Sequence, residues 1–148
     1  MKLRPAAIRA MGRSHRAVYR LTRGRLLGRV AGMPVLLLTT TGRRSGRART
    51  TPLTYFEFGD DLVVVASNGG EDSAPAWWLN LCERPEATIT TGTHTQPVTA
   101  RPTTEEEHER LWPMITAVHP GYAAYARRTT RRIPVVVLSQ TKENAPSR

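Results

Sequence analysis

Between Thr39 and Thr50 the chain reads TTTGRRSGRART, which gathers Arg43, Arg44, Arg47 and Arg49 around Gly42 and Gly46. A guanidinium is a planar fork that grips phosphate or carboxylate through two parallel hydrogen bonds. Glycines beside it let backbone N–H groups turn toward the same anion. The stretch is no Walker A loop: the closing Gly-Lys-Ser/Thr is missing, and a strand pattern follows where a helix should. Phosphate binding is the chemistry it predicts; the plainer alternative is a solvated hairpin tip that happens to be basic.

Two further clusters carry chemistry. Ala66-Ser67-Asn68-Gly69-Gly70 puts small residues at a strand end, where a flat ring can lie against backbone. Pro75 to Asn80 (PAWWLN) follows, with indole walls for such a ring. Adjacent helix positions point about 100° apart, so only one of Trp77 and Trp78 can face a given surface. The third cluster is His119, Tyr122 and Tyr125. Their spacing of three predicts one helical face lined with rings, hydroxyls and an imidazole. Hydrolytic equipment is missing: His15, His94, His108 and His119 lack metal-ligand spacing, and no Gly-x-Ser-x-Gly elbow occurs. No metal site is expected. Catalysis would come from a cofactor, with the protein supplying position and hydrogen bonds.

These clusters must be held by a modest frame. The chain has 148 residues, one domain's worth, and a domain of this size buries roughly 70% of its unfolded surface without disulfide or metal. The single cysteine, Cys82, excludes an intramolecular disulfide and fits a reducing compartment. No apolar run approaches a membrane span, so a cytoplasmic protein is expected. The formal charge is +10, from 22 Lys plus Arg against 12 Asp plus Glu. That field suits nucleic acid, an anionic membrane surface or a polyanionic small molecule.

From Met1 to Val30 the chain reads as a basic helical segment, with Ile8, Met11, His15, Val18 and Leu21 on one weakly apolar face. It is expected to cover a sheet edge, or to rest on the inner face of the cell membrane. Residues 31–139 form the main domain, and 140–148 a polar tail. Pro34–Thr40 reads as a buried strand. Thr50–Phe58 alternates and reads as one strand, turning at Gly59-Asp60-Asp61 into a hairpin with Leu62–Ser67. Ala74–Leu81 reads as a short helix stopped by Pro85. Glu86–Thr91 and Thr95–Arg101 pair across Gly92. Thr103 or Thr104 with Glu105–Glu107 is a capping box for a helix bearing Leu111, Trp112, Ile115 and Val118, kinked at Pro113. Pro120 opens another short helix, and Ile133–Leu138 is the last strand. Hairpin-linked strands with late helices describe an antiparallel α+β barrel or sandwich; the βαβ rhythm of a dinucleotide fold is absent.

The blocks LLLTTTGRRSGRARTTPL, VVVASNGG, PAWWLNL, the LWP helix, HPGYAAYARRT and RRIPVVVL resemble, in order and spacing from Met33 to Leu138, the deazaflavin-dependent nitroreductases, also described as F420H2-dependent quinone reductases. The resemblance implies a split β-barrel related to flavin-binding barrels. It also implies coenzyme F420, an 8-hydroxy-5-deazaflavin with a phospholactyl-oligoglutamate tail. The implied cofactor set is Gly42, Arg43, Arg44, Arg49, Pro52, Ala66, Ser67, Asn68, Gly69, Ala76, Trp77 and Asn80, with the arginines on the tail. Ser67, His119, Tyr122 and Tyr125 are implied at the reactive face and acceptor pocket. Two departures stand out. Asn68 replaces a lysine common in the family, and His119 and Thr54 stand where nitroimidazole- and menaquinone-reducing members have tyrosines.

The expected activity is hydride transfer from reduced F420 to a quinone, nitroaromatic or activated enone. A non-catalytic carrier of the deazaflavin or of a lipid-like ligand is the alternative. Nucleic-acid binding is disfavoured, because the cations cluster at one turn and the N-terminus without interleaved exposed aromatics.

Overall fold

The computed structural model describes residues 33–141 and, ahead of them, the two-residue strand β1 (Arg29–Val30). The expected N-terminal helix otherwise lies outside the described residues, as does nearly all of the tail. At the end of that segment Arg29 and Val30 are extended and pair with Pro34 and Met33.

The remaining strands are β2 (Met33–Thr41), β3 (Ala48–Thr54), β4 (Phe56–Phe58), β5 (Asp61–Val65), β6 (Glu86–Thr91), β7 (His94–Pro102) and β8 (Val135–Gln140). The helices are α1 (Ala76–Glu83), α2 (Glu105–Val118) and α3 (Gly121–Arg128). Every pairing is antiparallel, and the ladder runs β2-β6-β7-β8-β5-β4, with β3 on the other side of β2. Since only Tyr55 separates β3 from β4, the chain itself carries the sheet from β5 back to β2. The result is a split β-barrel with late helices, as the sequence implies.

That return corrects one expectation. Thr50–Phe58 is not one strand of a hairpin but two strands broken at Tyr55. The first half pairs with β2, from Ala48 against Thr41 to Thr54 against Val35. Only Phe56–Phe58 pairs with β5. The Tyr55 N–H donates to the Pro34 carbonyl at 3.2 Å, so odd-numbered residues of β3 turn their backbone groups toward β2. Even-numbered ones face away. Pro52, which has no N–H to offer, occupies one of those outward positions.

Side-chain alternation then divides the core. Leu36 and Leu38 of β2, Val64 of β5, and Val136 and Leu138 of β8 fill the barrel with Ile89, Val98 and Leu81. Val63, Val65, Val135 and Val137 point to the opposite face, where Leu111 and Ile115 of α2 and Tyr122 of α3 cover them. Burying each such aliphatic side chain contributes about 1.5–3 kcal/mol. Val118, read in sequence as part of the α2 apolar face, is instead 64% exposed. The capping box forms at Thr104: its hydroxyl accepts from the Glu107 N–H, and its own N–H donates to Glu107 at 2.9 Å.

Candidate active site

The turn between β2 and β3 is closed by its own backbone. The Gly42 N–H donates to the Arg47 carbonyl and the Gly46 N–H to the Gly42 carbonyl, each at 2.8 Å, with Gly46 at a φ of +70° that glycine adopts freely. A second restraint comes from α1. The Asn80 carboxamide oxygen accepts from both the Arg43 backbone N–H and its Nη1, each at 3.1 Å. The Asn80 Nδ2 donates to the Thr40 hydroxyl, also at 3.1 Å. Asn80 and Thr40 are buried. One amide thus fixes the arginine turn to the first helix. Among the described residues, no ion pair engages Arg43, Arg44, Arg47 or Arg49.

The strand end after β5 is the second wall. Ser67 leads into a turn in which Asn68, Gly69 and Gly70 all have positive φ, at 47°, 65° and 82°. Asparagine is among the few side chains that tolerate this region, and its Nδ2 donates to the Ser73 carbonyl at 3.0 Å. Arg131 locks the turn from behind. Its Nε donates to the Glu71 carbonyl at 3.1 Å, and its Nη2 to the carbonyls of Ala66 and Ser67 at 3.1 and 3.0 Å. Sequence reading passed over Arg131 because its partners are main-chain atoms some sixty residues away, for which no motif exists.

The third wall is aromatic. His119 is not on the tyrosines' helix, as the spacing predicted: it caps the C-terminus of α2, and α3 begins at Gly121. The rings still gather, with His119 and Tyr122 centroids 4.6 Å apart and Tyr122 and Tyr125 6.0 Å apart. The Tyr122 hydroxyl lies 2.6 Å from the Thr54 hydroxyl on β3. Burial holds the Tyr122 phenol above its ordinary value, with the Thr54 hydrogen bond opposing the shift.

These walls enclose a cavity of about 780 Å³. Of the predicted residues, Gly42, Arg43, Arg44, Arg49, Pro52, Ser67, Asn68, Gly69, Ala76, Trp77, Asn80, His119, Tyr122 and Tyr125 line it. Trp77 faces it and Trp78 does not. Ala66 is the exception. Strand alternation sends it with Val64 into the barrel interior, where it is fully buried and its N–H donates to the Pro134 carbonyl. Thr50, Thr51, Leu53 and Thr54 also line the cavity, because one flank of β3 borders it. An alternating strand next to Pro52 was the available signal for them.

A cationic turn, a strand end of small residues with one indole, and a cluster of rings border one cavity, which can accommodate a flat ligand with an anionic tail. The comparisons agree. The family model described as F420H(2)-dependent quinone reductase matches residues 11–140. An F420H(2)-dependent quinone reductase of Mycobacterium tuberculosis is 42% identical over 132 residues, covering 86% of this chain and 89% of that protein. A solved F420-H2 dependent reductase is 36% identical with a TM-score of 0.65, covering 72% of this chain and 94% of its own. A second solved chain, described as a domain-swapped dimer, is 34% identical with a TM-score of 0.67, covering 85% and 96%.

The chain belongs to the F420H(2)-dependent quinone reductase family. It is an oxidoreductase whose cofactor is coenzyme F420. The residues present fit that cofactor: three arginines lining the cavity outside any described ion pair, and a backbone wall too small in side chain to obstruct a ring.

Proposed function

We propose that the arginine turn takes the phosphorylated tail, that the Ser67–Gly69 backbone and Trp77 flank the ring, and that the acceptor lies toward His119, Tyr122 and Tyr125. Reduced F420 supplies a hydride. The acceptor class is a quinone first, and nitroaromatics or activated enones besides, since each places an oxygen where negative charge develops. Ser67, although mostly buried, keeps its hydroxyl accessible and is suited to donate to that oxygen. Tyr122 is engaged with Thr54 and chiefly shapes the pocket; Tyr125 borders it. Asn80 acts through Arg43 as a positioning residue.

The observation that carries this reading is the polarity of the cavity, with arginines outside any described ion pair in one part of its wall and rings in another. Titration of F420 and, in parallel, FMN, followed by cofactor fluorescence, tests it. Arg44→Ala with Arg49→Ala should cost about 3–6 kcal/mol of F420 binding, from two charge-assisted contacts of about 1.5–3 kcal/mol each. Unchanged affinity removes the clamp. Oxidation of reduced F420 on addition of menadione is the activity expected; tight binding without turnover of any quinone, nitroaromatic or enone would favour a carrier.

The same reading keeps the enzyme in the cytoplasm, with the basic segment before Val30 against the inner membrane face. Its support is the charge in the sequence; co-sedimentation with anionic vesicles tests it. Among the described residues, no helix is long and apolar enough to cross a membrane.

A further inference from the structure

The two ring nitrogens of His119 sit in unequal surroundings. Nδ1 is enclosed and has no hydrogen-bond partner, the one buried side-chain nitrogen or oxygen so placed among the described residues. Nε2 also makes no hydrogen bond yet is not enclosed, and the residue lines the cavity. The ring is held from two sides. Tyr122 packs against it at 4.6 Å between centroids, tilted by 36°. On another side there is Gly121, where an added Cβ would stand 2.7 Å from His119 Cε1 and 3.0 Å from Nδ1. Carbon atoms do not approach so closely, so the imidazole lies where it does because residue 121 has no side chain.

Buried donors without an acceptor are rarer than buried acceptors without a donor. A ring with one enclosed, unpartnered nitrogen therefore keeps its proton on the other. We propose that His119 is the acceptor-recognition residue of this enzyme. It presents Nε2–H as a fixed hydrogen-bond donor to the carbonyl or nitro oxygen of the acceptor, and Gly121 is the positioning residue that seats it. This rests on the reading that the cavity holds a hydride acceptor beside F420. The other ring-bearing group in contact with it, Tyr122, is tied through its hydroxyl to Thr54 at 2.6 Å, whereas the imidazole makes no hydrogen bond among the described residues. His119 gives up no proton in this scheme: the hydride carries two electrons to the acceptor, its oxygen takes the negative charge, and the completing proton comes from solvent. Acceptors presenting an exposed oxygen beside an apolar ring are favoured over those lacking one.

Amide side chains separate the two nitrogens, because a glutamine NH2 reaches the place of Nε2 and an asparagine NH2 only that of Nδ1. His119→Phe should lower kcat/KM for menadione roughly 10- to 100-fold, somewhat less than the loss of an oxyanion donor in a water-excluded site. F420 affinity, read by fluorescence titration, should be unchanged. His119→Gln should recover most of the loss, and His119→Asn should not. Gly121→Ala should reproduce the His119→Phe defect and add nothing when combined with it, which general destabilisation would not do. A long-range proton–nitrogen spectrum of the cofactor-free protein should show His119 protonated on Nε2. Full activity in His119→Phe, equal rescue by asparagine, or a proton found on Nδ1 would each overturn the proposal. Wild-type protein that neither binds nor oxidises reduced F420 would instead overturn the reading beneath it, and this one with it.

Discussion

Substituting aspartate for Asn80 keeps the shape of the buried amide and the oxygen that accepts from Arg43, while placing a negative charge about 3.1 Å from that guanidinium. The Thr40 hydroxyl, which now accepts from Nδ2, can rotate to donate to the second carboxylate oxygen. Hydrogen bonding inside the protein is preserved, but a buried carboxylate carries a desolvation penalty that the Arg43 pairing offsets only in part, so the melting temperature should fall. Binding should behave differently. Arg43 is withdrawn from the cofactor tail, which removes a charge-assisted contact of about 1.5–3 kcal/mol, or roughly 10- to 150-fold in Kd. A deazaflavin lacking the phosphorylated tail should bind Asn80→Asp and wild type alike. Asn80→Ala is the contrasting case. It strands the Arg43 N–H and the Thr40 hydroxyl and opens a void, at a cost of about 2–4 kcal/mol of stability, and it weakens binding only through a loosened turn. Thermal melts paired with fluorescence titrations of the two ligands separate these effects. Equal weakening of tailed and tail-less cofactor by Asn80→Asp, or no weakening of either, would refute the positioning role given to Asn80.

Gly70→Ala should cost about 2 kcal/mol or more, since φ is +82° and a Cβ would meet the Tyr125 backbone at 3.2 Å; because α3 must move aside, the acceptor KM should rise in the same variant. Thr54→Val should cost about 1–3 kcal/mol by leaving the buried Tyr122 hydroxyl unpaired, measurable as a lowered denaturant midpoint. Glu107, held to about 2 chiefly by the Arg101 side chain and then by the Thr104 N–H, has a folded pKa below its ordinary 4.5. Its stabilising contribution is therefore complete above about pH 4.5 and lost as pH falls toward 2. With Arg101 half exposed, solvent screening leaves about 1 kcal/mol, and acid unfolding should shift upward in pH in Glu107→Gln.

How far the fold could be read ahead depended on the range of the cause. The β2 apolar run, the Gly92 hairpin, the Thr104 capping box and the Asn68–Gly70 stop are local and formed as expected. The break at Tyr55 is marked in the residues only by a change of phase, the apolar positions passing from Leu53 and Tyr55 to Phe56 and Phe58, which reading Thr50–Phe58 as one alternation passed over. What divides that strand is that its halves find different neighbours, β2 and β5, and pairing is a property of the whole barrel. The site followed the same rule. Arginines flanked by glycines announce an anion from their own chemistry, whereas the Asn80 clasp, the Thr54–Tyr122 contact and the Arg131 lock join residues 37 to 68 positions apart. Ala66 shows the opposite error: belonging to a recognised block said nothing about which side of the strand it faced.

An open sheet flank bordering a binding cavity carries a hazard of its own, since a bare row of amides invites any stray extended peptide to zip alongside. Among the described residues, β3 has no strand on its outer side, yet the pyrrolidine at position 52 interrupts the donors there and β4 veers off after only one intervening residue. A foreign strand would find too short and too gapped a template to extend along. The surface that welcomes a small molecule is by the same construction a poor seed for fibres.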